Sequence, residues 1–120
     1  MTQPQPQPKG LDDPTMIDMV RLTPNEDAIE LIIVHDKAWE GSTRQILALQ
    51  EKWQTYVGFA IYGTLARNYP DYAHLPWRIV VETTGEPDPK TKQFLGRANE
   101  ESKKQGGEVV VAVKRPAPKR

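Results

Sequence analysis

The chain has 120 residues, sixteen acidic and sixteen basic side chains, eleven prolines and no cysteine. That length holds one hydrophobic core and excludes a second. Without cysteine there are no disulfides, thiolate metal sites or cysteine nucleophiles, and a reducing cytoplasm is the expected setting. MTQPQPQPKG has no apolar leader segment, and no apolar run reaches membrane-spanning length, so a soluble protein with no membrane partner is expected. The charges cancel overall but not locally: residues 1–60 hold nine acids against five bases, and 61–120 hold seven against eleven. Such asymmetry either steers a partner or is chance placement.

Residues 1–11 form a Gln-Pro repeat ending in Lys-Gly, with nothing apolar to bury, which predicts a solvated tail. One domain follows over 12–114, and 115–120 form a basic, proline-broken tail. Asp12-Asp13-Pro14 turns into a first strand over Met16 to Leu22. Thr23-Pro24-Asn25-Glu26-Asp27 has the chemistry of a tight connection, with Asn25 suited to a left-handed residue. Ala28 to His35 is rich in β-branched residues, too short and capless for a helix, and reads as the return strand of a hairpin.

The longest stretch with a single period runs from Ser42 to about Asn68. Ile46, Leu49, Trp53, Tyr56 or Val57, Ala60 and Ile61 recur at helical spacing, while Arg44, Glu51, Lys52 and Thr55 fall on the opposite side. Ser42 or Thr43 can cap it, and Asn68-Tyr69-Pro70 stops it. A two-proline loop leads to a third strand, Trp77 to Thr84. Asp88 as N-cap with Pro89 behind it starts a second helix that ends near Gln105 at Gly106-Gly107. Glu108 to Val113 is the fourth strand.

The order β-β-α-β-α-β predicts an α+β fold: a single two-layer sandwich with a mixed four-stranded sheet and both helices on one face. In the second strand Ile29, Leu31 and Ile33 point one way, yet Ile32 and Val34 point the other, joined there by Val80, Val110 and Ala112. Sheets with one wet face alternate more cleanly than this. The helix adds Leu47, Tyr62 and Leu65 beside or opposite its main stripe. A contact surface made of Ile32, Val34, Leu47, Tyr62, Leu65, Val80 and Val110 is therefore expected, covered by a second copy or another protein, unless tails or loops hide it.

His35, Asp36, Trp39 and Glu40 gather where the second strand enters the long helix. A histidine with two carboxylates suits acid/base work or a metal, but His74 lies far along the chain, and the plain alternative is that Asp36 and Glu40 fix the loop while Trp39 lids the core. Trp53, Tyr56, Phe59, Tyr62, Tyr69, Tyr72 and Trp77 either line a pocket for a planar ligand, beside His35 and Asp36, or simply pack the core. GxGxxG, P-loop, GxSxG and HExxH signatures are missing, and neither a metal nor a cofactor is implied. Lys103, Lys104, Lys114, Arg115, Lys119 and Arg120 make a basic end, read as a solubilising tail rather than a nucleic-acid site because no aromatics interleave it.

Several segments carry a resemblance. Ile17-Asp18, His35-Asp36, Trp39-Glu40, Leu47-Ala48-Leu49-Gln50-Glu51-Lys52, Tyr56, Phe59, Gly63 and Tyr69-Pro70 together resemble an uncharacterised family of short bacterial proteins, domain of unknown function 6572. The likeness covers Thr15 to Val113 and departs from the family pattern at Trp53-Gln54 and Ala60-Ile61-Tyr62. It implies a compact bacterial cytoplasmic α/β protein and supplies no activity. Two functions stand side by side: a non-enzymatic protein-interaction module, of adaptor or immunity type, and a small-ligand-binding protein or enzyme built on the aromatic pocket with His35 and Asp36. A nucleic-acid accessory comes third.

Overall fold

The computed structural model describes residues 10–114; the proline-rich segment before Gly10 and the basic segment after Lys114 lie outside the described residues. Strands β1 (Met19–Leu22), β2 (Ile29–His35), β3 (Trp77–Thr83) and β4 (Gly107–Val113) form one sheet in the spatial order β1-β2-β3-β4. The β1–β2 pair is antiparallel and the other two pairs are parallel, so the sheet is mixed. Three helices accompany it: α1 (Thr43–Ile61), α2 (Thr64–Asn68) and α3 (Pro89–Lys103).

Local chemistry sets the boundaries. In the hairpin, Thr23 Oγ1 accepts from the backbone N–H groups of Asp27 and Ala28 and donates to Asp27 Oδ1 at 2.6 Å. The left-handed residue there is Glu26, at φ 55°, not Asn25. Ser42 caps α1 by accepting from Gln45 N–H, and Asp88 caps α3 by accepting from Thr91 N–H. The single long helix expected to Asn68 is instead broken after Ile61, because Gly63 takes φ +94°, a conformation that ends one helix and lets the shorter α2 start.

Differences at the N-terminal side share one cause. β1 begins at Met19 rather than Met16, and Gly10 to Asp12 already form a 3-10 turn. Gly10, at φ +55°, lies so close to β2 that a Cβ on it would sit 2.3 Å from the Val34 carbonyl oxygen. Residues 10–18 therefore wrap the carboxyl end of β2 instead of extending the hairpin.

The core forms on the face bearing Ile29, Leu31 and Ile33 of β2, with Trp77, Ile79 and Val81 of β3 and Val109 of β4. Leu49 and Tyr56 of α1 join the same cluster as Leu95 and Ala98 of α3. One side chain of α1 departs from the periodicity: Lys52, expected on the wet side, is fully buried. Its Nζ lies 2.8 Å from Asp18 Oδ1 and donates to the Asp13 carbonyl at 2.9 Å. The segment 10–18 folds over that side of α1 and supplies the partners.

The opposite face is not the apolar surface the sequence suggests. Six alternating charges cross it: Lys114 pairs with Glu82, Glu82 with Arg21, Arg21 with Glu30, Glu30 with Arg78, and Arg78 with Glu108. By register, the Arg21–Glu82 pair spans the row that holds Ile32 and Val80, and both of these are buried. The aliphatic stems of the arginines cover apolar surface while their heads stay paired and wet.

Candidate functional site

Loops and helix starts meet at the carboxyl ends of β2 and β3, the place where open α/β sheets present ligand crevices. His35 is the last residue of β2 and is only 4% exposed. Trp39 stacks on it, ring centroids 3.9 Å apart, and the indole N–H donates to Thr83 Oγ1 at 2.9 Å and the Gly85 carbonyl at 3.2 Å. This ring ties the end of β2 to the end of β3. The loop then reaches Gly41, whose φ of +66° and close approach to the Asp88 carboxylate leave no room for a side chain.

Beside His35 opens a cavity of about 890 Å³, bounded by Gly10 to Asp12, Val34, the loop residues Asp36, Lys37 and Glu40, and Arg44, Gln45 and Ala48 of the first turns of α1. Its wall mixes polar and apolar surface and carries both signs of charge. Asp12 and Lys37 pair across the rim at 2.6 Å, which holds the Asp12 carboxyl below its usual range and raises the lysine. Gln45 is committed to the loop, accepting from Glu40 N–H and donating to the Ala38 carbonyl. Arg44 has no ion-pair partner among the described residues.

Burial pushes the His35 imidazole below the ordinary histidine pKa, against the smaller opposing pull of a hydrogen bond to the Ala38 backbone and of the nearby Asp36. Its Nε2 is buried with no hydrogen-bond partner among the described residues. A neutral ring that donates from Nδ1 to a backbone carbonyl keeps a lone pair on Nε2. The packing closes that atom off from solvent, and so from the open cavity.

Of the residues singled out from the sequence, His35, Asp36 and Glu40 line this cavity, and Trp39 packs on its histidine. The aromatic residues do not join them. Tyr56 is wholly buried, accepting from Asp18 N–H at 2.8 Å and donating to the Ile32 carbonyl. Trp53 packs edge-on against Phe94 and donates to Ser102 between α1 and α3, and Trp77 covers Gly107 near the other end of the parallel strands. His74 is exposed in its loop, and among the described residues no three histidine or acidic side chains are placed to hold a metal. Of the expected contact surface, Ile32, Leu65 and Val80 are buried within the chain, Val34 is half-buried beside the cavity, and Leu47, Tyr62 and Val110 are exposed. At the basic end Lys104 pairs with Glu101 and Lys114 with Glu82.

Sequence reasoning missed the Gly10–Asp12 wall and Arg44. A glycine before an otherwise polar turn was the available signal for the first; for Arg44, the first turn of a helix facing a strand end was the signal.

A mixed four-stranded sheet with three helices and a polar crevice at its strand ends defines a small α+β protein. No helix of the described residues is long and apolar enough to cross a membrane. The chain belongs to a family of unknown function, DUF6572, whose model matches residues 10–115. No curated protein and no solved structure matches it.

Proposed function

We propose that this chain binds a small polar ligand in the crevice beside His35. The observation that carries the reading is a cavity of ligand size at the strand ends whose lining brings His35, Asp36, Glu40 and Arg44 together. Arg44, Asp36 and Glu40 in its lining suit a molecule that bears both an anionic group and a hydrogen-bond donor. This changes the ligand class expected from the sequence: an aromatic lining favours planar apolar compounds, whereas these walls favour charged or zwitterionic ones. The reading takes the fold as a two-layer sandwich with α1 and α3 on one side, which their shared core supports.

The test is a thermal-shift and calorimetric screen of the whole chain against amino acids, small carboxylates and phosphates, followed by His35→Gln and Arg44→Ala. A ligand that raises the melting temperature and loses affinity in both variants supports the reading. A panel that moves nothing at millimolar concentration sinks it.

The interaction-module reading keeps a different foothold. Apolar side chains on the face away from the helices are largely roofed by the charge lattice, but the edge strand β4 is open.

A further inference from the structure

Among the described residues β4 pairs only with β3, and most of the hydrogen-bonding groups on its outer side find no partner there. Lys114 N–H donates to the Thr83 carbonyl at 2.7 Å. In a parallel ladder the bonding side alternates with each residue, so Glu108, Val110, Ala112 and Lys114 face β3, and Val109, Val111 and Val113 turn their N–H and C=O outward. Asn99 Oδ1 accepts from Val109 N–H at 2.9 Å, which agrees with that parity and caps one outward donor. The groups of Val111 and Val113 have no such cap among the described residues.

Natural sheets blunt long edges with prolines, bulges or inward charges. β1, at the other edge, is only four residues long. β4 has seven, contains no proline, and exposes Val110 at 36% and Val111 at 39%.

We propose that β4 pairs antiparallel with β4 of a second copy, about a two-fold axis at Val111. That register sets Val111 against itself, Val109 against Val113, Val110 against Ala112, and Glu108 against Lys114, each of the last three twice by symmetry. Opposite charges placed directly across antiparallel strands favour the pairing. Centring the axis on Val110 or Ala112 loses the Glu108–Lys114 match; in the Val111 register the capped Val109 lies at the two ends of the pairing, where its N–H stays with Asn99 and its C=O accepts from Val113 N–H of the second copy. The result is a continuous eight-stranded sheet. It is independent of the crevice beside His35, which sits at the end of β2, with β3 between that strand and this edge.

Sedimentation velocity of the full chain over about 1 to 200 μM tests it. The expected species has twice the 13.6 kDa chain mass. Glu108→Lys and Lys114→Glu each bring like charges together and weaken the dimer about tenfold or more. An equimolar mixture of the two variants restores opposite charges at both sites and recovers the dimer. Circular dichroism checks that each variant folds, and amide exchange of the unaltered chain gives a second readout, with the Val111 amide gaining protection as concentration rises. A monomer throughout the range, a dimer indifferent to Val111→Lys, or a Val111 amide equally fast at all concentrations overturns the proposal.

Discussion

Lys52 Nζ stands 2.8 Å from Asp18 Oδ1 with both side chains wholly out of contact with solvent. The carboxylate is bound twice over, since its Oδ2 accepts from Val34 N–H at 3.0 Å. This pair fastens the segment before β1 to the middle of α1 and to the end of β2, and so helps shape the wall of the cavity. Desolvating two charges consumes much of their mutual attraction, so the pair adds little net stability, but removing one partner strands the other. Lys52→Met is therefore expected to destabilise the chain by about 3–5 kcal/mol in urea unfolding. The double variant Asp18→Asn with Lys52→Met should cost clearly less than the two single changes together. Additive losses would show that the pair is not coupled.

Tyr56 serves the same junction through one oxygen. Its hydroxyl takes the Asp18 N–H and gives its proton to the Ile32 carbonyl, while burial pushes its ionisation well above the ordinary phenol range, keeping the proton in place. Tyr56→Phe keeps the ring and removes one partner from each of two backbone groups. The expected cost is about 1–3 kcal/mol, with the denaturant slope unchanged. Faster amide exchange at Asp18, with the β2–β3 ladder unaffected, would locate the loss at this joint.

These two residues also show where the sequence was legible. Periodicity and caps marked each strand, and α3 with its Asp88-Pro89 start, because those signals are local. Lys52 was misread for the same reason: a lysine on a helix is solvated unless a distant segment brings a carboxylate to it, and Asp18 lies 34 residues away. The charge lattice escaped for a like cause. Arg21, Glu30, Arg78 and Glu82 each look like ordinary polar positions, and only the strand order puts them in one alternating network over Ile32 and Val80. At the site, the cluster around His35 was visible as a loop at a strand end, whereas the aromatic pocket failed because Trp53, Tyr56 and Trp77 belong to three separate contacts.

His35 gives the fold a pH dependence with a definite sign. Burial lowers its folded pKa beneath the 6.5 of an unperturbed imidazole. Between those two values the unfolded chain binds more protons than the folded one, so stability rises with pH there. The contribution is complete above about pH 6.5 and is lost as pH falls toward the folded pKa. Asp12 and Asp88, whose folded values are lowered by the Lys37 partner and by the Thr91 cap respectively, lose their contributions only in the more acidic carboxylate range. Urea midpoints across pH 5 to 8 should therefore slope downward toward acid in the native chain and flatten in His35→Gln. An identical slope in that variant would place the titrating group elsewhere.

Gly107 opens β4 directly beside Trp77 in the parallel register. A Cβ at Gly107 would lie 2.3 Å from the indole ring, and Trp77 is itself buried in the core cluster, so the ring must leave its packed position. Two effects compete in Gly107→Ala. Loss of unfolded-chain freedom favours the variant by about 0.4–1 kcal/mol. Displacing a packed ring opposes it by about 1–3 kcal/mol, and so close a contact lets the displacement prevail. The variant is expected to unfold at lower urea, with Trp77 emission shifted toward the red. Trp77→Leu in the same chain vacates the space above the new methyl, so Gly107→Ala should cost less in that background than in the native one. Equal cost in both backgrounds would mean that the indole does not set the requirement for glycine.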